Sequence, residues 1–149
     1  MVFTIPKTLK EEHEKLHADL VRAGKEPGKV GEAARTVARL LRPHFTKEEQ
    51  FALPALALLP DLAQGKFTPE MVDVMSLTAQ LKHELPTMLN EHKLIAVALT
   101  EMMDAARKGD NTEWAEFAYR LMHHARNEEE VLYPAALLVG EFVKLRLTR

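Results

Sequence analysis

Seven histidines and no cysteine among 149 residues confine any metal chemistry to nitrogen and oxygen donors. His44 and Glu48 lie four positions apart in HFTKEEQFALP, and His124 and Glu128 lie four apart in HARNEEEVLYP. Both stretches read His-x3-Glu-Glu-x4-Pro, an internal repeat. On a helix this separation stacks two side chains on one face, about 6 Å apart along the axis, within reach of one cation. One such pair is most often a surface salt bridge; the same pair twice, with matched flanks, points to a metal. Imidazole combined with carboxylate suits iron, manganese or zinc and departs from the oxygen-only preference of calcium and magnesium.

Two such pairs need partners from other elements. In an antiparallel helical hairpin, residues stand at the same level when their midpoint falls in the connecting turn. His13 with His44 centres within the KEPGK turn, His17 with His44 and His13 with Glu48 centre at its edge, and His92 with His124 centres beside Gly109. His13 and His17 are again four apart, so both can aim inward. His13, His17, His44, His92 and His124 with Glu48 and Glu128 are therefore expected in one layer, destabilising without metal because cations offset the repulsion between buried carboxylates. Helix rotation decides between Glu128 and its neighbour Glu129; Glu128 copies the spacing of Glu48. Glu49 and Glu129 either accept hydrogen bonds from ligand histidines or are plain solvated glutamates. His83, roughly 13 Å along a helix from His92, and His123, turned about 100° from His124, are read as outside the site. Tyr119 and Tyr133 read first as packing residues, a hydrogen bond near the metals being the other use of a phenol.

These side chains have to be carried by helices. Ala, Leu, Glu, Lys, Arg and Met dominate, and β-branched runs bounded by turn signals are missing. A first helix capped by Thr8 carries Leu9, Leu16 and Leu20 and stops before Gly24; a second starts near Val30 or Gly31 and meets Pro43, where a kink beside His44 is expected. FALPALALLPDLAQGKFTP, broken by Pro54, Pro60 and Gly65, reads as a crossover segment. Thr68 and Pro69 open a long segment, kinked at Pro86, whose later part is the third helix and ends near Gly109. Asn111 caps a fourth helix running through Trp114, Phe117 and Leu121 to Pro134, and a short C-terminal helix closes the chain. The expectation is an all-α fold: one domain over residues 1–149, an antiparallel up-down-up-down four-helix bundle of two hairpins with a crossover.

In order and interval, EEHEKL, HFTKEEQFALP, NEHKLIAVAL and HARNEEEVLYP resemble the hemerythrin-like (HHE cation-binding) family, over nearly the whole chain. The resemblance implies a non-haem pair of metals, two irons with manganese or zinc as the other options. His13, His17 and His44 would bind one metal, His92 and His124 the other, and Glu48 and Glu128 would bridge. The set is similar to that of oxygen-carrying hemerythrins, except that the paired histidines stand on the first helix, while Met88 and Ala96 occupy the positions four residues either side of His92. The metal at His92 and His124 would then have the open position. The implied function is binding of a small ligand such as dioxygen, nitric oxide or peroxide, for carriage, sensing or detoxification. The alternative is a non-catalytic iron-sensing or metal-stabilised interaction module. Turnover is left open; an enzyme of this kind would be a di-iron oxidoreductase or peroxidase-like.

Bulk properties narrow the rest. A net charge of -2 from mixed residues offers no basic stripe for nucleic acid. The N-terminal residues lack a signal-peptide layout and no apolar run approaches a membrane span, so a cytoplasmic protein is expected. No Gly-rich phosphate loop or serine elbow occurs. The apolar stretch 51–68 and the C-terminal extension are expected to serve a homodimer contact or partner surface.

Overall fold

A computed structural model describes residues 3–147, which are helical with no strand. The helices are α1 (Lys7–Ala23), α2 (Gly28–Lys47), α3 (Leu59–Ala63), α4 (Val74–Lys108), α5 (Thr112–Asn127) and α6 (Tyr133–Leu147). Each long element presents one apolar stripe at helical spacing. On α1 the stripe is Leu9, His13, Leu16, Leu20 and Ala23; on α4 it includes Met88, His92, Ile95, Leu99, Met102 and Ala106. The histidines therefore occupy core positions.

The core is in two parts. One lies among α1, α2, the later half of α4 and α5, around Leu20, Val37, Leu41, Ile95, Leu99, Met102, Trp114, Phe117 and Leu121. The other lies among the crossover, the earlier half of α4 and α6, around Phe51, Leu53, Leu56, Leu81, Met88, Tyr133, Val139 and Val143. α2 and the turn that follows it pass from Leu41 in the first cluster to Phe51 in the second, and α4 passes from Met88 to Ile95. Between those residues fall His44, Glu48 and His92, all buried. The candidate ligands thus form a polar layer between two apolar clusters.

Several expectations about the elements change. α1 begins after Pro6 with no side-chain cap, so Thr8 lies in the first turn. α2 starts at Gly28 and runs on through Pro43. Beyond it the chain does not continue as α-helix: Glu48–Ala52 and Glu128–Leu132 are each a turn of π-helix. The crossover consists of 3-10 turns at Pro54–Leu58 and Pro69–Asp73 flanking α3. Thr68 stands at the cap position without a capping bond, whereas the Asn111 side chain accepts from the Trp114 N–H, as expected. α6 is no short extension; it packs along the earlier half of α4, where Gly140 lies against Thr78. Among the described residues no helix is long and apolar enough to cross a membrane.

Candidate metal centre

Four helices each bring one histidine to the layer: His13 from α1, His44 from α2, His92 from α4 and His124 from α5. The two carboxylates, Glu48 and Glu128, follow His44 and His124 at the start of the π turns. Ligand atoms of His44, Glu48, His92 and Glu128 lie within 4.8 Å of one another, and so do those of His13, His124 and Glu128. In the first group His44 Nε2 is 2.8 Å from His92 Nε2, 3.7 Å from Glu48 Oε2, and His92 Nε2 is 3.3 Å from Glu128 Oε1. In the second, His124 Nε2 is 3.2 Å and His13 Nε2 is 3.8 Å from Glu128 Oε2, and His13 Nε2 is 3.6 Å from Glu48 Oε1. Each carboxylate thus turns one oxygen to each group.

Every one of these imidazoles is held from behind by a glutamate on Nδ1. His13 bonds Glu49 at 3.2 Å, His44 bonds Glu91 at 3.0 Å, His92 bonds Glu129 at 2.9 Å, and His124 bonds Glu12. A carboxylate only accepts, so Nδ1 carries the proton and the Nε2 lone pair points into the layer. Lys10 and Lys47 in turn hold Glu49 and Glu91. Phe45 stacks on the His13 ring at 3.9 Å and fixes its plane.

Inside, the polar atoms are poorly satisfied. His13 Nε2, Glu48 Oε1, His124 Nε2 and Glu128 Oε2 are buried without a hydrogen-bond partner. Each such atom costs about 1–3 kcal/mol. The His44 and His92 Nε2 atoms face each other with both Nδ1 protons already committed, an arrangement that calls for a cation or an extra proton between them. Burial and the charge of Glu128 push the Glu48 carboxyl well above its usual range. Burial acts the same way on Glu128, but the Glu48 carboxyl and the nitrogens of His124, His13 and His92 outweigh it and hold Glu128 well below. Burial drives His44 down. His92 and His124 are raised, because neighbouring carboxylates, Glu128 foremost, overcome the burial that lowers them. These donors fit metal cations: each group offers two imidazole nitrogens and carboxylate oxygens, and the unpartnered atoms converge in the His13–His124 group.

The structure groups the histidines differently from the expected division. His13 falls with His124 and His44 with His92, across the bundle, in place of His13 with His44 and His92 with His124. His17 joins neither group. One turn beyond His13, about 5–6 Å along α1, it is half-buried in the wall of a surface hollow of about 460 Å³ that His13, Glu49, Arg42 and Phe45 also line. The expected imbalance of three histidines against two is therefore absent. His83 and His123 are exposed, away from the layer. Glu128 faces inward, and Glu49 and Glu129 bond the histidines.

Two residues escaped the sequence reading, Glu12 and Glu91, and a third, Tyr133, takes the second of the two uses weighed for it. The first two had a signal, a Glu-His dipeptide in both EEHEKL and NEHKLI. In each half the glutamate preceding the helix histidine bonds the His-x3-Glu histidine of the other half. Tyr133 donates to Glu48 Oε2 at 2.6 Å and lies 3.2 Å from His44 Nε2 and 3.3 Å from His92 Nε2.

An all-helical chain with buried, carboxylate-backed imidazoles around shared glutamates is of the metal-binding helical class. Residues 4–136 match the hemerythrin HHE cation binding domain, and the chain belongs to that family. No curated protein and no solved structure matches it.

Proposed function

We propose that the chain holds two iron ions, one between His44 and His92 and one between His13 and His124, with Glu48 and Glu128 shared, and that it binds a small ligand such as dioxygen, nitric oxide or peroxide. In this reading α1, α2, α4 and α5 act as the up-down-up-down four-helix bundle expected from the sequence. The observation that carries it is the pair of donor groups: four unpartnered buried atoms converge between His13 and His124, and the Nε2 atoms of His44 and His92 face each other at 2.8 Å beside the second oxygens of the same two carboxylates. Charge supports it too. Six carboxylates, Glu12, Glu48, Glu49, Glu91, Glu128 and Glu129, stand against Lys10 and Lys47, an excess that two divalent cations would balance.

Iron held by such donors supplies a redox-active Lewis acid able to take a diatomic or peroxide ligand. The protein's own part is positional. Glu12, Glu49, Glu91 and Glu129 fix the tautomer and plane of the imidazoles and raise their basicity. Apolar clusters flank the layer above and below. Loading with ferrous iron under anaerobic conditions should give two irons per chain by metal analysis, and addition of nitric oxide, dioxygen or peroxide should change the visible spectrum. Loaded protein indifferent to all three would refute the ligand-binding reading. His17→Ala should keep both irons.

A further inference from the structure

The two halves of the site repeat each other closely: Glu12-His13 matches Glu91-His92, and His44-x3-Glu48-Glu49 matches His124-x3-Glu128-Glu129. The repeat continues to the prolines Pro54 and Pro134, and immediately before them it breaks. The first half has Leu53, the second Tyr133, both buried. A phenol oxygen is thus delivered to the layer from one half only.

Its position is not that of a tyrosine packed nearby. Metal-to-donor bonds of about 2.1 Å separate adjacent corners of an octahedron by about 3 Å. Tyr133 Oη lies 2.6, 3.2 and 3.3 Å from Glu48 Oε2, His44 Nε2 and His92 Nε2. Those atoms are themselves 2.8 Å (His44 to His92) and 3.7 Å (His44 to Glu48) apart. The phenol oxygen is spaced from them as one more corner of the same polyhedron. The His92 ring also packs against the Tyr133 ring, with centroids 5.7 Å apart and planes 26° from parallel.

We infer that Tyr133 is a further ligand, through its phenol oxygen, of the ion held between His44 and His92. On metal binding the O–H bond breaks, the oxygen's electron pair goes to the ion, and the proton now donated to Glu48 leaves to solvent. No oxidant is required. The two metal positions then differ, with five protein donors at one and four at the other. This inference rests on the two-iron reading above.

The test is spectroscopic. Protein loaded with ferrous iron and oxidised to the ferric state should show a phenolate-to-iron charge-transfer band in the visible, with tyrosine ring modes enhanced in resonance Raman spectra. The chain has two tyrosines. Tyr119→Phe, at an exposed position, should keep the modes; Tyr133→Phe should lose them while metal analysis still finds two irons. If Tyr133→Phe fails to fold, Tyr119→Phe decides, since modes retained there belong to Tyr133. Two bound ferric ions without tyrosine modes, or modes that survive in Tyr133→Phe, overturn this inference and leave the two-iron reading standing. A chain that binds no iron overturns both.

Discussion

Each imidazole in the layer is defined by two contacts, a glutamate on Nδ1 and an inward Nε2, and the inward contacts pair the histidines across the bundle. That pairing separates two assignments by experiment. If His13 and His124 serve one ion, removing both should cost no more metal than removing either. His13→Ala/His124→Ala should then retain about one iron per chain, and His13→Ala/His44→Ala should retain none. The hairpin assignment reverses these outcomes, and metal analysis of the two double variants decides. Glu48 and Glu128 present oxygens to both groups, so Glu48→Ala should cost both ions. The candidate ligands were legible because a separation of four on a helix fixes their level along the axis. Which histidines share an ion was not, because a midpoint argument gives height along a hairpin and says nothing of the angle around it. His17 shows the same limit: it shares a face with His13 yet joins neither group of converging ligand atoms.

At the scale of the elements, the sequence showed which stretches are helical and where they stop, since Gly24, Gly109 and Asn111 carry terminators and a cap that act locally. It did not show the π turns. Nothing in EEQFA or EEEVL distinguishes a five-residue closure from an α turn, and Leu53 N–H bonding to Glu48 C=O at 2.9 Å is visible only in three dimensions. The consequence falls on Tyr133. In an α-helix it would stand about 140° around the axis from Glu128; the wider π turn brings it back over the carboxylate layer. Hence α-helical spacing alone favours packing for its side chain. A second close approach joins α6 to α4: a Cβ on Gly140 would stand 2.2 Å from Thr78 Oγ1 and 2.7 Å from Thr78 Cβ. Because that Cβ is fixed by the α4 backbone, Gly140→Ala should destabilise by about 1–3 kcal/mol from overpacking. Thr78→Gly/Gly140→Ala, which moves the methyl to the other side of the contact, should recover part of it, a coupling of about 0.5–3 kcal/mol in denaturant titrations. Additive losses would show that the contact is not tight.

For the whole molecule, the polar layer divides what would otherwise be one core, so stability should depend on whether the layer is loaded. Its four unpartnered atoms come from α1, α5 and the two π turns, and without cations each carries the penalty of a buried polar group. A ligand that binds only the folded state adds about 2.7 kcal/mol when free at 100 times its Kd. A domain of this size gains roughly 2–4 °C in Tm per kcal/mol. Two ions should therefore raise Tm by about 10–20 °C over the chelated protein, measured by circular dichroism with and without ferrous iron under argon. His13→Ala/His124→Ala, keeping one ion, should show about half that rise. The rise should be insensitive to His83→Ala and His123→Ala, whose side chains lie on the surface. Equal Tm values with and without metal would mean that the two apolar clusters hold the fold together unaided and that the layer does not couple metal binding to folding, against the arrangement of its orphaned donors.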